Sequence, residues 1–137
     1  MSAQLAAQKA LRARLVASPG VTALVPAEAI IDRNKRPAPV PSIIIGEAQE
    51  IDEGATIARR RVRVVHTAHV WTRETGLVEV NAIMGAMRAA LAERLVLDAG
   101  FHCADSHVAS ARAMRDPDGE TGHGVVTIEV MVQEVAS

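Results

Sequence analysis

The residues of this chain with the means to do chemistry are five histidines, one cysteine and sixteen carboxylates, and their spacing assembles almost none of it. His66 and His69 stand close enough to suggest metal binding. On a strand, however, an odd separation sends them to opposite faces, where they cannot share an ion. His102, Cys103 and His107 offer softer ligands, in a pattern that matches no structural zinc site and without a second cysteine. Cys103 with His102 or His107 as base would make a small hydrolase. No Gly-x-Ser-x-Gly elbow or other oxyanion-hole sequence surrounds the thiol, so a buried, inert Cys103 is the simpler reading. Gly119, Gly122 and Gly124 fall between two strands instead of between a strand and a helix, which removes the nucleotide-binding patterns. The scattered acids form no calcium loop. The expectation is a protein that is not an enzyme, with no cofactor and no stoichiometric metal.

Composition narrows the partners. At 137 residues the chain is expected to be one domain, 1–137, burying roughly two-thirds of its unfolded surface. Hydrophobic residues make up 49% of it but aromatics only 1%, Trp71 and Phe101 alone, so Val, Ile, Leu, Ala and Met must fill the core. Base stacking on aromatic platforms is excluded with them. Fifteen Lys and Arg against sixteen Asp and Glu give a net charge of -1, without the basic excess of a nucleic-acid or anionic-membrane binder. The charge balance argues for protein partners. A single cysteine fits folding in a reducing cytoplasm, and the N-terminal Met-Ser-Ala-Gln-Leu-Ala has neither the basic nor the apolar region of a signal peptide. No apolar run approaches the ~20 residues of a membrane span.

The elements that must position these residues centre on Arg60 to Leu97. Val62, Val64, Ala68 and Val70 alternate with Arg61, Arg63, Thr67 and His69, the period of a half-buried strand, interrupted only by His66. After Arg73-Glu-Thr-Gly76 the apolar residues take helical spacing at Leu77, Val80, Met84, Met87, Leu91 and Leu95, with Thr75 as the expected N-cap. That pattern predicts one helix roughly 30 Å long. Ser2 to Val16 predicts an N-terminal helix stopped by Ser18-Pro-Gly20, and Ala29 to Asp32 a short strand. The prolines within 34–42 predict a stiff connector, and Ser42 to Gly46 a buried strand. Phe101 to Arg115 reads as irregular until about Val108 and strand-like thereafter; the turn chemistry of Asp116 to Gly122 then delivers a last strand with Val126, Ile128, Val130 and Val132 on one face. The fold class is α+β: a largely antiparallel sheet of about four to five strands with a long central helix and an N-terminal helix packed on one face.

Two features point toward an interface. The sheet face away from the helices should be polar, yet it carries Val65, Trp71, Val125, Met131 and Val135 among its Arg, Thr, Glu and Gln residues, which suits a subunit contact. Between Gly46 and Arg61 the sequence predicts a long charged hairpin tip with an acidic arm, Glu47, Glu50, Asp52 and Glu53, ahead of a basic base, Arg59, Arg60 and Arg61. Loops of this length without structure of their own are usually functional, so the tip is expected to carry a contact.

The order of these segments resembles a known family. Ser18-Pro-Gly-Val-Thr-Ala-Leu-Val25, Ile30-Ile-Asp-Arg33, Pro41-Ser-Ile-Ile-Ile-Gly46, His69-Val-Trp71 and Arg115-Asp-Pro-Asp-Gly119 are similar, in that order, to the tail-completion or tail-terminator proteins of long-tailed bacteriophages and gene transfer agents. The resemblance covers nearly the whole chain and carries no catalytic motif. It implies a structural subunit of a virion tail, assembled as a homo-hexameric ring that caps the tail tube, stops its polymerisation and meets the head connector or stopper protein while DNA passes through without sequence-specific binding. The residues expected at interfaces are Glu47, Glu50, Asp52, Glu53, Arg59, Arg60, Arg61, Val65, Trp71 and Met131. A small soluble dimeric binding module is the alternative architecture.

Overall fold

In the computed structural model, which describes residues 2–32, 40–54, 60–73 and 77–135, five strands form one sheet with the helices on one face. The elements run α1 (Ala3–Ala17), α2 (Pro19–Thr22), a 3-10 turn (Ala27–Ala29), β1 (Ile30–Ile31), β2 (Ser42–Asp52), β3 (Arg61–Thr72), α3 (Val78–Ala90), β4 (Phe101–Arg115) and β5 (Gly122–Glu134). Their order across the sheet is β1-β2-β3-β5-β4, antiparallel except for the short β1–β2 pair. The central strand predicted from alternation is thus β3. It pairs along its whole length with β5, from Arg61 opposite Gln133 to Thr72 opposite Gly122.

The core lies between this sheet and the helices. Ser2 caps α1, its hydroxyl accepting the Leu5 N–H at 3.1 Å, and Pro19 begins α2 where a backbone donor is dispensable. Ala7, Leu11 and Leu15 from α1 and Val80, Ile83, Met84 and Met87 from α3 meet Val64, Ala68 and Val70 of β3 and Val126, Ile128 and Val130 of β5. Each fully buried Leu or Ile here contributes roughly 1.5–3 kcal/mol.

Three expectations are corrected. The central helix stops at Ala90, about 20 Å from its start, instead of reaching Leu97. Arg14 of α1 is the physical reason: its guanidinium donates to the carbonyls of Ala90, Glu93 and Arg94, each at 3.0 Å, so those groups are satisfied without further helix. Leu91 and Leu95 are nevertheless buried, because the segment turns down over the sheet and the Leu95 N–H reaches the Ser106 hydroxyl. The spacing of Leu91 and Leu95 reports their burial and not a continued helix. The charged stretch after Gly46 is not a structureless tip either, since β2 continues to Asp52 through an irregularity between Ile45 and Ala48. Past Ile45 only Ala48 still packs on the core, while Glu47, Gln49, Glu50 and Asp52 are exposed, so the sequence looks like a loop. Finally, β4 is a strand from Phe101 onward; register shifts at Cys103/Asp105 and Val108/Ser110 break its alternation and hide it. Thr75 and residues 33–39 of the proline-rich connector, by contrast, lie outside the described residues.

The turn between β4 and β5 behaves as its composition predicts. Gly119 takes φ 74°, and the Asp118 carboxylate accepts the backbone N–H groups of Glu120 and Thr121 and the Thr121 hydroxyl. The Thr121 hydroxyl, followed by the Glu120 N–H, holds that carboxylate below its ordinary pKa.

Two close approaches yield predictions. A methyl group at Gly124 would meet Met84 Sδ at 2.9 Å, Val80 Cγ1 at 3.0 Å and Val70 Cβ at 3.2 Å, so this position sets how closely α3 packs on β5. Gly124→Ala is expected to destabilise the fold by about 1–3 kcal/mol through overpacking. Gly85→Ala, on the open side of the same helix with nothing within 4 Å, should stabilise it by roughly 0.5–1 kcal/mol. Urea midpoints at constant slope would measure both.

His66 is the other case. It sits fully buried under α1, and neither ring nitrogen has a hydrogen-bond partner. Burial pushes its pKa below the ordinary value, opposed only by the nearby Gln4 backbone. The unfolded chain therefore takes up this proton first: the contribution to stability is intact above about pH 6.5 and is lost as pH falls through and below that value. Replacing the ring with an apolar side chain, His66→Leu, removes both the proton uptake and the unpaired nitrogens. Thermal unfolding at pH 7 and pH 5 should show wild type losing more stability than the variant across that interval.

Candidate functional site

The outer face of the sheet, away from the helices, is assembled by alternation from the odd-numbered residues of β3 and β5 and their partners on β2 and β4. Four cross-strand rows define it: Ser42–Trp71–His123–Met114, Ile44–His69–Val125–Arg112, Gln49–Val65–Glu129–His107 and Ile51–Arg63–Met131–Asp105. Val65, Trp71, Val125 and Met131 are half-buried on this face, and Val135 is exposed beyond β5, so the mixed surface expected from sequence is present.

Its two ends differ in chemistry. Toward one end Arg63 lies between two carboxylates, Nε donating to Glu53 at 2.7 Å and Nη1 to Glu129 at 2.9 Å, with His107 between Asp105 (3.1 Å) and Glu129 (3.7 Å). This network is polar but internally satisfied. Toward the other end, Trp71 stacks on His123 with ring centroids 3.9 Å apart and planes within 6°. His123 Nε2 in turn lies 3.0 Å from His69 Nδ1, so one ring must donate and the other accept, and they cannot both be protonated while the bond stands. Burial, and then the neighbouring His69, press the His123 pKa below its ordinary value, with Asp116 pulling the other way.

Beside these rings the surface opens into a concavity of about 570 Å³, lined by Asp32, Ile44, Glu47, His69, Trp71 and His123 among others. Gly46 shapes it. A Cβ there would sit 3.0 Å from the Thr67 carbonyl and 3.3 Å from His69 Cδ2, so a side chain would press on β3 and on the imidazole.

The structure distributes the residues singled out in the sequence over several places. Val65, Trp71 and Met131 share the outer face, with Arg61 at its margin. Glu47 reaches the concavity, 3.8 Å from His69 Nε2. Glu50 and Asp52 are in register with Val64 and Val62, hence on the opposite side of β2 from Ile51. Glu53 folds back onto Arg63 of the same chain, and the Arg60 carbonyl accepts the Glu134 N–H. Arg59 lies outside the described residues. Sequence reasoning missed the His69–His123–Trp71 cluster and Asp32. The i, i+2 spacing of His69 and Trp71 already placed those two on one face, but His123 joins them only through the β3–β5 register.

No hydrolytic arrangement emerges. Cys103 is buried in register with Val132 on the core face, whereas His102 and His107 pair with Gln133 and Glu129 on the other. Among the described residues, no three His, Cys, Asp or Glu side chains converge as a metal site, and no helix is long and apolar enough to cross a membrane. The outer face combines aromatic and aliphatic side chains with fixed charges.

Comparison with known proteins agrees on the fold. A chain from the virion of a native gene transfer agent particle superposes with a TM-score of 0.77 at 21% identity, covering 97% of this chain and 99% of that one. The gp17 protein of bacteriophage SPP1 does so with a TM-score of 0.63 at 22% identity, covering 98% and 92%. No curated protein sequence matches the chain. The profile of the family described as tail completion protein gp17, however, matches residues 9–133, nearly the whole of this sheet and its helices, and the chain therefore belongs to the tail completion protein gp17 family.

Proposed function

We propose that this protein is a structural subunit of a phage-like tail that assembles as a ring, a homo-hexamer, on the end of the tail tube, terminates tube growth and presents a surface to the head connector. Family membership supports a place in the tail, and the likeness to a chain of a gene transfer agent virion supports a particle of that kind. The observation that carries the ring is the outer sheet face. Its half-buried Val65, Trp71, Val125 and Met131 are apolar side chains spread over a face that no helix among the described residues covers. Of the remaining residues expected at interfaces, Glu47 lies at the Trp71 end of that face, while Glu50, Asp52, Glu53, Arg60 and Arg61 lie toward its other end, where a neighbouring subunit or the tube would meet them; Arg59 is expected to act with them. A net charge of -1 suits a channel wall through which DNA slides without being held.

Aspartate substitutions test the face directly. Val65→Asp and Met131→Asp would place an unpaired carboxylate in the interface core, at a cost of about 3–5 kcal/mol per contact. On a solvated sheet face the same changes cost little. The expected result by sizing chromatography and circular dichroism is a folded monomer that no longer assembles or caps tubes. Normal assembly of both variants would show that the face meets only solvent, and a subunit count of two by native mass spectrometry would replace the ring with a dimeric module.

A further inference from the structure

Among the described residues, the two carboxylates of the concavity beside Trp71 have no lysine or arginine partner. Glu47 approaches only His69, at 3.8 Å, with its side chain 72% exposed, and Asp32 accepts a 3.4 Å hydrogen bond from the neutral Gln8 amide. Both acids lie on the β1–β2 side of the sheet. An indole wall with adjacent carboxylates is the arrangement that receives a guanidinium, through cation–π attraction and charge-assisted hydrogen bonds together.

The complementary charge stands at the opposite edge of the same sheet. Arg112 is exposed on β4 and, among the described residues, has no hydrogen-bond or ion-pair partner. Register places it in the row Ile44–His69–Val125–Arg112, at the far end from the concavity and at the same height along the strands. Around it Ala109, Ser110 and Ala111 are small and exposed, so the β4 edge can be approached closely. Donor and acceptor at opposite edges and equal height are what a head-to-tail contact requires, and such contacts close into rings when the rotation is right.

We infer that Arg112 of one copy docks into the Trp71 concavity of the next, against Glu47 and Asp32, so that each recognition site is completed by its neighbour. This contact rests on the ring assembly proposed above and names the residues that set its direction.

Charge reversal decides it. Arg112→Glu and Glu47→Arg should each weaken self-association of the full chain about tenfold or more. The double variant should regain most of the loss, and an equimolar mixture of the two single variants should associate better than either alone. Trp71, the only tryptophan, supplies a second readout: its emission should change when wild type assembles and stay at the monomer value for Arg112→Glu at the same concentration. Rings that form normally from both single variants, with unchanged Trp71 emission, overturn the docking contact and leave the ring reading standing. So do single variants that weaken assembly without recovery in the double variant. A wild-type chain that remains monomeric at every concentration, alone and with tube ends, overturns both.

Discussion

The structure depends on the unbroken pairing of β3 with β5. All twelve residues of β3 find partners on β5 without a slip, and since side chains alternate, that single register decides what every neighbouring element meets. Val64, Ala68 and Val70 join Val126, Ile128 and Val130 beneath the helices, while Arg63, Val65, His69 and Trp71 are turned outward together. A displacement of one residue would expose the aliphatic row and bury an arginine. The core and the outer face are therefore two readings of one constraint.

Where the sequence was legible, it was legible for this reason. The alternation in β3 and β5 and the i, i+4 pattern in α1 each report one buried face per element, and they gave the sheet, its antiparallel centre and the helical layer. Legibility failed where burial came from something other than the element's own period. Leu91 and Leu95 are buried by a turn fastened to α1, so they mimicked helix. Two register shifts in β4 scrambled its alternation, and the charged half of β2 sets only Ala48 against the core. For the contact face, Val65, Trp71 and Met131 could be read from parity alone, but His123 and Asp32 reach Trp71 only through pairing and tertiary packing.

The shortage of aromatic side chains shapes both faces. With Phe101 at the margin and Trp71 outside, the core is built from branched aliphatics, Met and Ala, whose modest volumes let α3 lie close on β5 at Gly124. The one large ring system, Trp71 with His123 and His69, is placed instead on the outer face of the sheet, where the proposed assembly would use it. This is the disposition of an interface anchor: a flat, rigid surface that gains contact area with little loss of side-chain entropy.

The Arg14 clamp has a consequence for how the molecule breathes. One guanidinium on α1 carries three carbonyl bonds at the exit of α3, so the end of α3 cannot open without leaving those oxygens or the cation unpaired. Amide hydrogens in α1, in α3 and in the segment pinned at Leu95 should therefore exchange as one cooperative unit at a free energy near that of global unfolding. The half of β2 after Ala48 is held instead by its pairing with β3 and by the Glu53–Arg63 ion pair, and belongs to a separate, weaker unit. Local opening is then concentrated at the margin of the sheet, leaving the helix-covered layer closed while the rim adapts to what it touches.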